Sequence, residues 1–168
     1  MQKPLVQLKR NRHSWRKIIF TSHGETTLLT LAKAQAIITH TLEHAHANKF
    51  KPLGVVVIDA RGAVIASAAE DGSSIKRFQI AHAKAQGSLA FNMNSSALEK
   101  LAIDRPHFMA GAIPAVGGAI IPVAGGVIIR DADKQVIGVV GVSGDTSAND
   151  EIAAIAGVKA AGMLADGA

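Results

Sequence analysis

The sequence predicts an α+β domain in which an antiparallel sheet carries helices on its faces. Two segments, residues 53–69 and 126–142, each read as an apolar run, a turn led by aspartate and a second apolar run, which indicates two β-hairpins. Stretches with apolar residues at three- and four-residue steps precede, separate and follow the hairpins, which indicates helices. Turns this short exclude a parallel crossover within either pair of strands. With 168 residues, the chain has the length of one domain.

The first predicted helix begins after Thr30, whose hydroxyl can cap it, and runs to about Asn48. Its expected apolar stripe comprises Leu31, Ala34, Ile38, Leu42 and Ala45. The first hairpin follows, and Gly62 supplies a turn position between its two strands.

A second long helix is predicted from about Ser74 to Phe91. Its expected apolar stripe comprises Ile75, Phe78, His82, Ala85 and Leu89. Residues 94–103 read as a short capped helix, and residues 110–126, rich in glycine and proline, read as a connecting segment. After the second hairpin, Ser147-x-x-Asp150 matches a capping box for a last helix that runs to about Leu164.

The net charge of +5 is concentrated in the N-terminal tail, which carries Lys3, Lys9, Arg10, Arg12, Arg16 and Lys17. Without these six residues, 12 basic residues face 13 acidic ones, so the rest of the chain is about neutral. A basic tail can contact phosphates without reading sequence, but no aromatic-rich strand pattern supports single-strand binding. We therefore predict a basic, poorly ordered extension over residues 1–28, a domain over residues 29–168 and no nucleic-acid partner.

Composition also limits the chemistry and the location of the protein. The chain has no cysteine, which excludes disulfides, thiolate chemistry and covalent haem attachment through a C-x-x-C-H motif. No apolar run reaches the length of a membrane span, so no membrane partner is expected. The apolar stretch "KIIF" is too short for a signal peptide, and we predict a cytoplasmic location.

The stretch "VIGVVGVSGDTSANDEIA", residues 136–153, raises the question of what its glycines do. The spacing of Gly138, Gly141 and Gly144 does not match G-x-G-x-x-G, and no Gly-Lys-Ser/Thr follows, so this is not a P-loop. Asp145 stands where a nucleophile elbow needs its last glycine. Glycine in a strand marks close approach of a ligand or of another chain segment. We expect the strand to deliver Ser143, Gly144 and Asp145 to the rim of a cavity, where the next helix N-terminus suits an anion.

"HTLEH", from His40 to His44, matches the inverted zinc-peptidase motif H-x-x-E-H. The four-residue spacing places both histidines on one helix face, but a single-zinc site also needs a third protein ligand. We interpret the segment as a solvated polar face and predict no bound metal.

Two polar residues of the second long helix are candidates for ligand contact. His82 falls in the predicted apolar stripe, where it is either a hydrogen-bonded core residue, an axial ligand of a metal macrocycle or an acid–base group. Lys84 lies away from that stripe, near Ile80, Gly87 and Phe91, and is either exposed or a partly desolvated partner for a carboxylate.

Five stretches of the sequence together resemble the GlcG/HbpS-like haem-binding family, whose domain also forms the C-terminal part of PduO-type proteins. They are "LTLAKAQAII", "VVVIDARGAVIA", "IAHAKAQGSLAF", "GGAIIPVAGGVII" and "VIGVVGVSGDTSANDEIA". The family's K-A-x-T-A pattern aligns on Lys84 and Ala85, but Gly87 and Ser88 replace its threonine and last alanine. The resemblance covers residues 29–164, and the basic tail lies outside it.

The resemblance implies a profilin-like α/β/α layering with a five-stranded antiparallel sheet, assembly into homo-oligomers, and binding of haem or, in some members, corrinoid or metabolite chemistry. We therefore expect a small-molecule binding protein for haem or a related tetrapyrrole. The alternative is an enzyme or accessory protein acting on a small organic acid, with Lys84 and Asp145 in its site. The predicted ligand-binding residues are His82, Lys84, Phe91, Pro114, Gly117, Gly118, Gly125, Gly126, Ser143, Gly144, Asp145 and Asp150.

Overall fold

Residues 28–167, the part of the chain that the computed structural model describes, form five helices and a five-stranded sheet. The basic residues that dominate the predicted extension lie outside this part. The helices are α1 (Leu31–Ala47), α2 (Arg77–Phe91), α3 (Ser95–Asp104), α4 (Pro106–Ala115) and α5 (Ser147–Ala160). The strands are β1 (Gly54–Asp59), β2 (Val64–Ala69), β3 (Gly126–Arg130), β4 (Val136–Ser143) and β5 (Leu164–Ala165).

The sheet has the strand order β2-β1-β4-β3-β5, and every neighbouring pair is antiparallel. Both predicted hairpins are present, and they join through β1 and β4, where Gly54 pairs with Ser143 and Val57 with Val140. Helices cover both faces of the sheet, so the predicted α+β class and the three layers implied by the family resemblance are confirmed.

Helices α1 and α5 cover one face of the sheet, here called the α1/α5 face. Branched aliphatic side chains dominate this interface, among them Ile37 of α1, Val158 of α5 and Val140 of β4, all fully buried. Gly157 of α5 lets the two helices cross closely, because a Cβ there would lie 2.8 Å from the carbonyl oxygen of Ile37. The larger of the two apolar clusters in the described part of the chain lies on the α1/α5 face.

Helix α2 covers the other face, here called the α2 face, and α3 and α4 lie beside it. Its apolar cluster is smaller and joins two helix alanines, Ala81 and Ala85, to Val56, Ile128 and Val139 of the sheet. Small residues on the helix allow a short distance between helix and sheet, which positions the polar site described below.

Several element boundaries differ from the sequence-based prediction. Thr30 caps α1 as expected, accepting a hydrogen bond from the backbone N–H of Lys33. The predicted capping box of the last helix is wrong, because Thr146 is the N-cap residue and its hydroxyl accepts from Asn149. This helix ends at Ala160 rather than near Leu164, which instead begins the short edge strand β5.

Helix α4 occupies the first part of the segment that was expected to be an irregular connection. Pro106 stands at its first turn, where the missing N–H costs nothing, and Pro114 lies in its last turn.

None of the helices between residues 28 and 167 combines the length and the apolar composition that crossing a bilayer requires.

Candidate functional site

Helix α2 approaches the sheet along a stripe of mostly small buried residues, Ala81, Lys84, Ala85 and Ser88. Glycine on the facing strands makes the approach possible. A Cβ on Gly141 would overlap the carbonyl oxygen of Ala81 and lie 2.9 Å from its carbon. A Cβ on Gly126 would lie 2.6 Å from the carbonyl oxygen of Lys84. The β4 glycine therefore admits a helix backbone rather than a phosphate.

The expected position of Lys84 on α2 is wrong. The lysine belongs to the buried stripe because residues 81, 84, 85 and 88 follow one another at helical steps on the sheet-facing side. Ile75 and Phe78, expected in that stripe, are 87% and 38% exposed. The sequence pattern selected the larger apolar residues, whereas the close approach to the sheet requires the smaller ones.

Lys84 forms a buried ion pair with Asp150 of α5. The distance from Nζ to Oδ2 is 2.8 Å, and the two side chains are 3% and 2% exposed. The pair passes the end of the sheet and joins the helix layers on its two faces. Gly125 makes room for it, since a Cβ there would lie 2.9 Å from Nζ, and its φ of +120° is one that glycine tolerates.

The carboxylate of Asp150 is further engaged by the turn that follows β4. Its Oδ1 accepts a hydrogen bond of 3.0 Å from the backbone N–H of Asp145. Burial raises the pKa of Asp150, and the hydrogen bond and charge of Lys84 oppose that rise. The aspartate is therefore held at a desolvated position by its partners.

Asp145 and Gly144 have structural roles in the same turn. Asp145 accepts from the backbone N–H of Lys51 at 2.7 Å, from Thr146 and from the Asn149 amide, and these hydrogen bonds lower its pKa. The φ of Gly144 is not positive, so the backbone there does not itself require glycine. A side chain is excluded at Gly144 because a Cβ would lie 2.6 Å from Cδ2 of Leu53. The same Cβ would overlap the backbone carbonyl oxygen of Pro52, the residue before Leu53.

Ser143 is buried at the end of β4, and its hydroxyl accepts a hydrogen bond of 3.3 Å from Nη1 of Arg77. Arg77 was not predicted as a site residue. Its spacing was the available signal, because residues 77, 81, 84 and 88 continue one stripe of α2 at three- and four-residue steps.

His82 lies on the flank of α2 that faces the β1–β2 turn. Its Nε2 is 3.0 Å from the amide nitrogen of Gln86, which also donates to the carbonyl oxygen of Gly62 at 2.9 Å. The imidazole stacks on the ring of Phe78, with centroids 5.7 Å apart. His82 is therefore a half-buried, hydrogen-bonded residue at the margin of the α2 face.

Phe91 lies on the opposite flank of α2, where its ring meets that of Phe108 edge to face at 6.4 Å. Pro114, Gly117 and Gly118 lie beyond it, at the exposed end of α4. Both glycines have positive φ, and the N–H of Gly118 bonds to the carbonyl of Ile113 at 2.9 Å, which terminates the helix.

The structure thus brings together seven of the twelve predicted ligand-binding residues at one end of the sheet: Lys84, Gly125, Gly126, Ser143, Gly144, Asp145 and Asp150. His82 and Phe91 lie on opposite flanks of α2. The residues near α4 form a separate group that is exposed and apolar.

The histidines of the H-x-x-E-H motif contact residues of α1 or of its C-terminal cap. His40 contacts Glu43 at 2.9 Å, and His44 contacts the amide of Asn48 at 3.2 Å. No group of three metal-binding side chains occurs between residues 28 and 167.

Comparison with known proteins assigns the family. A family model described as haem degrading protein HbpS-like matches residues 29–159. The chain belongs to the HbpS-like family. This match agrees with the resemblance inferred from the sequence, and the matched range includes the buried ion pair, both hairpins and all of α4. No curated protein matches the HbpS-like chain.

Three solved structures place the HbpS-like chain among known folds. The crystal structure of HbpS is 26% identical over 81% of this chain and 92% of its own, with a TM-score of 0.69. A PduOC–haem complex is 20% identical over 81% and 96%, with a TM-score of 0.72. The protein ORFY of Klebsiella pneumoniae is 22% identical over 83% and 94%, also with a TM-score of 0.72. The last two likenesses establish the shared fold alone.

Proposed function

We propose that this protein binds haem or a related tetrapyrrole. The observation that carries the proposal is the match of residues 29–159 to the HbpS-like family, whose model is described as a haem degrading protein. A structure of the same fold, PduOC, was solved as a haem complex. Family membership and fold do not determine the ligand contacts, which depend on the residues of this chain.

The outer flank of α2 supplies groups suited to a metal macrocycle. Phe78 offers an aromatic ring that is 38% exposed, and His82 stacks on that ring with its imidazole half-buried. His82 would hold the haem iron through Nε2, the nitrogen that the Gln86 amide contacts in this structure. Bound haem would supply a redox-active iron, while the chain supplies the apolar contacts and the ligand nitrogen.

Lys84, predicted as a possible partner for a carboxylate, does not suit contact with a haem propionate. Its side chain is 3% exposed, and its ammonium group is already bound to Asp150. The same geometry weakens the alternative of an enzyme acting on a small organic acid. Lys84 is directed at Asp150, whereas Asp145 is bound by the backbone N–H groups of Lys51 and Thr146.

Titration of the purified protein with haemin tests the proposal. We expect a shifted Soret band that saturates at micromolar haemin. His82→Ala should weaken binding or change the spectrum, whereas the matched control His40→Ala, on the other side of the sheet, should bind as the wild type does. Absence of a Soret shift in the wild type would contradict haem binding. An unchanged spectrum in His82→Ala would contradict only the proposal that His82 holds the iron.

We also propose that the protein assembles into a homo-oligomer in the cytoplasm. Support for assembly comes from residues 106–129, which contain no Asp, Glu, Lys or Arg and expose Phe108 and Val116 by 42% and 47%. Sedimentation velocity at micromolar protein should show a species larger than the monomer, and a single monomeric boundary would refute assembly.

A further inference from the structure

The two edges of the sheet differ in how far they are protected from pairing with another strand. At one edge, β5 has only two residues, and the side chain of Asp166, which follows it, is bound to Arg130. At the other edge, β2 has six residues, Val64–Ala69, of which none is charged and none is proline. Short strands, charged side chains and proline are common means of preventing edge-to-edge pairing. The β2 edge uses none of these three.

The outer side of β2 presents main-chain hydrogen-bonding groups. Within residues 28–167, β2 pairs with β1 alone. The N–H of Glu70 donates to the carbonyl oxygen of Leu53 at 2.9 Å, so every second residue before Glu70 also directs its main-chain groups toward β1. By the same alternation, Ser67 and Ala69 direct their N–H and C=O groups away from β1.

The side chains of this stretch are small enough for a second strand to approach. The register with β1 is regular from Ala66 to Ala69, and its one irregularity lies before Ala66. Ser67 and Ala69 are exposed, while Ala66 and Ala68 are half-buried against the α1/α5 face. Opposed residues in a non-hydrogen-bonded antiparallel pair lie about 4.5 Å apart at Cα, a distance that alanine on both strands allows.

Helix α1 borders the β2 edge with uncharged side chains. Leu31, Gln35 and Thr39, spaced four residues apart, are exposed and line a groove together with Ile65 and Ala68 of the strand. None of the residues that line this groove is charged. A second copy of α1 can therefore lie alongside the first without bringing like charges together.

We propose that β2 pairs antiparallel with β2 of a second copy of this chain, which joins the two five-stranded sheets into one continuous sheet. Ser67 of each copy exchanges both main-chain hydrogen bonds with Ala69 of the other, and the two-fold axis passes beside Ala68. The pairing is self-complementary, because the same residues supply the donors and the acceptors on both sides. The inference rests on the homo-oligomer proposed above and assigns it an interface separate from the exposed apolar segment near α4.

Sedimentation velocity at micromolar protein compares the wild type with Ser67→Pro. Proline is tolerated on an edge strand where the N–H points outward, so the variant removes the intermolecular donor and keeps the bonds to β1. We expect the mass of the assembly to fall to half or less, with a dissociation constant weakened at least about tenfold. Ser67→Ala keeps the N–H, so it is the matched control and should assemble as the wild type does.

A cross-link tests the contact independently, and it decides the question if Ser67→Pro does not fold. The chain has no cysteine, so Ala68→Cys introduces a single thiol. Across the proposed axis the two thiols belong to residues about 4.5 Å apart at Cα, a separation that a disulfide can bridge. Mild oxidation should give a covalent dimer. Ala160→Cys, at the exposed end of α5, is the control and should remain a single chain on a denaturing gel.

An assembly that Ser67→Pro leaves intact would overturn the β2 pairing while the proposed homo-oligomer stands. Equal cross-linking of the two cysteine variants, or cross-linking of neither, would also overturn it. A monomeric wild type would overturn both the pairing and the homo-oligomer, and β2 would then be open to a strand of another protein. The haemin titration depends on none of these results, so haem binding is tested separately.

Discussion

The two faces of the sheet are packed by opposite means. On the α1/α5 face, branched side chains such as Ile37, Val140 and Val158 fill the space between helices and strands. On the α2 face, Ala81 and Ala85 lie against strands that carry Gly126 and Gly141, so the helix backbone itself approaches the sheet. The first interface is stabilised by the burial of large apolar side chains. The second is stabilised by close contact between the helix backbone and the strands.

The close fit explains why polar side chains are buried mainly on the α2 face. Where the helix backbone approaches the sheet, few apolar side chains fit between the two layers. The polar side chains at this interface are therefore held by hydrogen bonds. Ser88 donates to the carbonyl of Gly126, and Ser95 accepts from its N–H. Lys84 extends the same arrangement to the end of the sheet, where Asp150 meets it. The close packing of α2 against the sheet therefore requires glycine in β4.

The largest expected effect comes from breaking the ion pair that joins the two faces. Lys84→Met leaves Asp150 buried without its partner, and we expect a loss of about 3–5 kcal/mol in the free energy of unfolding. The double variant Lys84→Met/Asp150→Asn removes both charges and keeps an acceptor for the N–H of Asp145, so it should recover most of the loss. Urea denaturation measures both variants. A double variant no more stable than the single one would contradict the argument.

A smaller effect is expected from filling the space between α2 and the sheet. Gly141→Ala places a methyl group against the carbonyl of Ala81 and should destabilise the fold by about 1–3 kcal/mol. Gly111→Ala in α4 is the control, because its Cβ meets nothing within 4 Å. Alanine there should stabilise the helix by about 0.5–1 kcal/mol. If both glycines tolerate alanine equally in thermal unfolding, the close fit of the α2 face is disproved.

The smallest effect concerns Asp145, which lies near the surface in the turn between β4 and α5. Its hydrogen bonds lower its folded-state pKa from the ordinary value of 3.8. The stabilising contribution is therefore complete above about pH 4 and is lost as the pH falls through the lowered pKa. Asp145→Asn should melt below the wild type near neutral pH, and the difference should shrink at about pH 3. A difference that does not change with pH would exclude this cause.

The sequence predicted the elements whose signals are local. Both hairpins, the Thr30 cap and the short helix after Asn94 follow from alternation, turn chemistry and spacing within a few residues. Helix α4 was missed because Gly111 and Pro114 suggested a loop, although Pro106 at the first turn was a helix signal. Strand β5 has two residues, too few for any periodicity.

The site was only partly predictable because its contacts are distant along the chain. Lys84 and Asp150 are 66 residues apart, and nothing near either residue specifies the other. The stripe of α2 was assigned to Phe78 and His82 because large apolar residues usually mark the buried side. Here the glycines of another strand decide which side of the helix is buried, and that information becomes available only in three dimensions.

The strand order has a consequence for how the chain folds. Each hairpin closes over a few residues, but the central pairing of Val57 with Val140 joins positions separated by about 80 residues. The entropy cost of that closure falls on the step that docks the two hairpins, which is slow compared with forming either one. Lys84 and Asp150 are 66 residues apart, so we expect their ion pair to form with the docking step rather than before it. We therefore expect the bond that joins the two helix layers to slow unfolding more than it speeds folding.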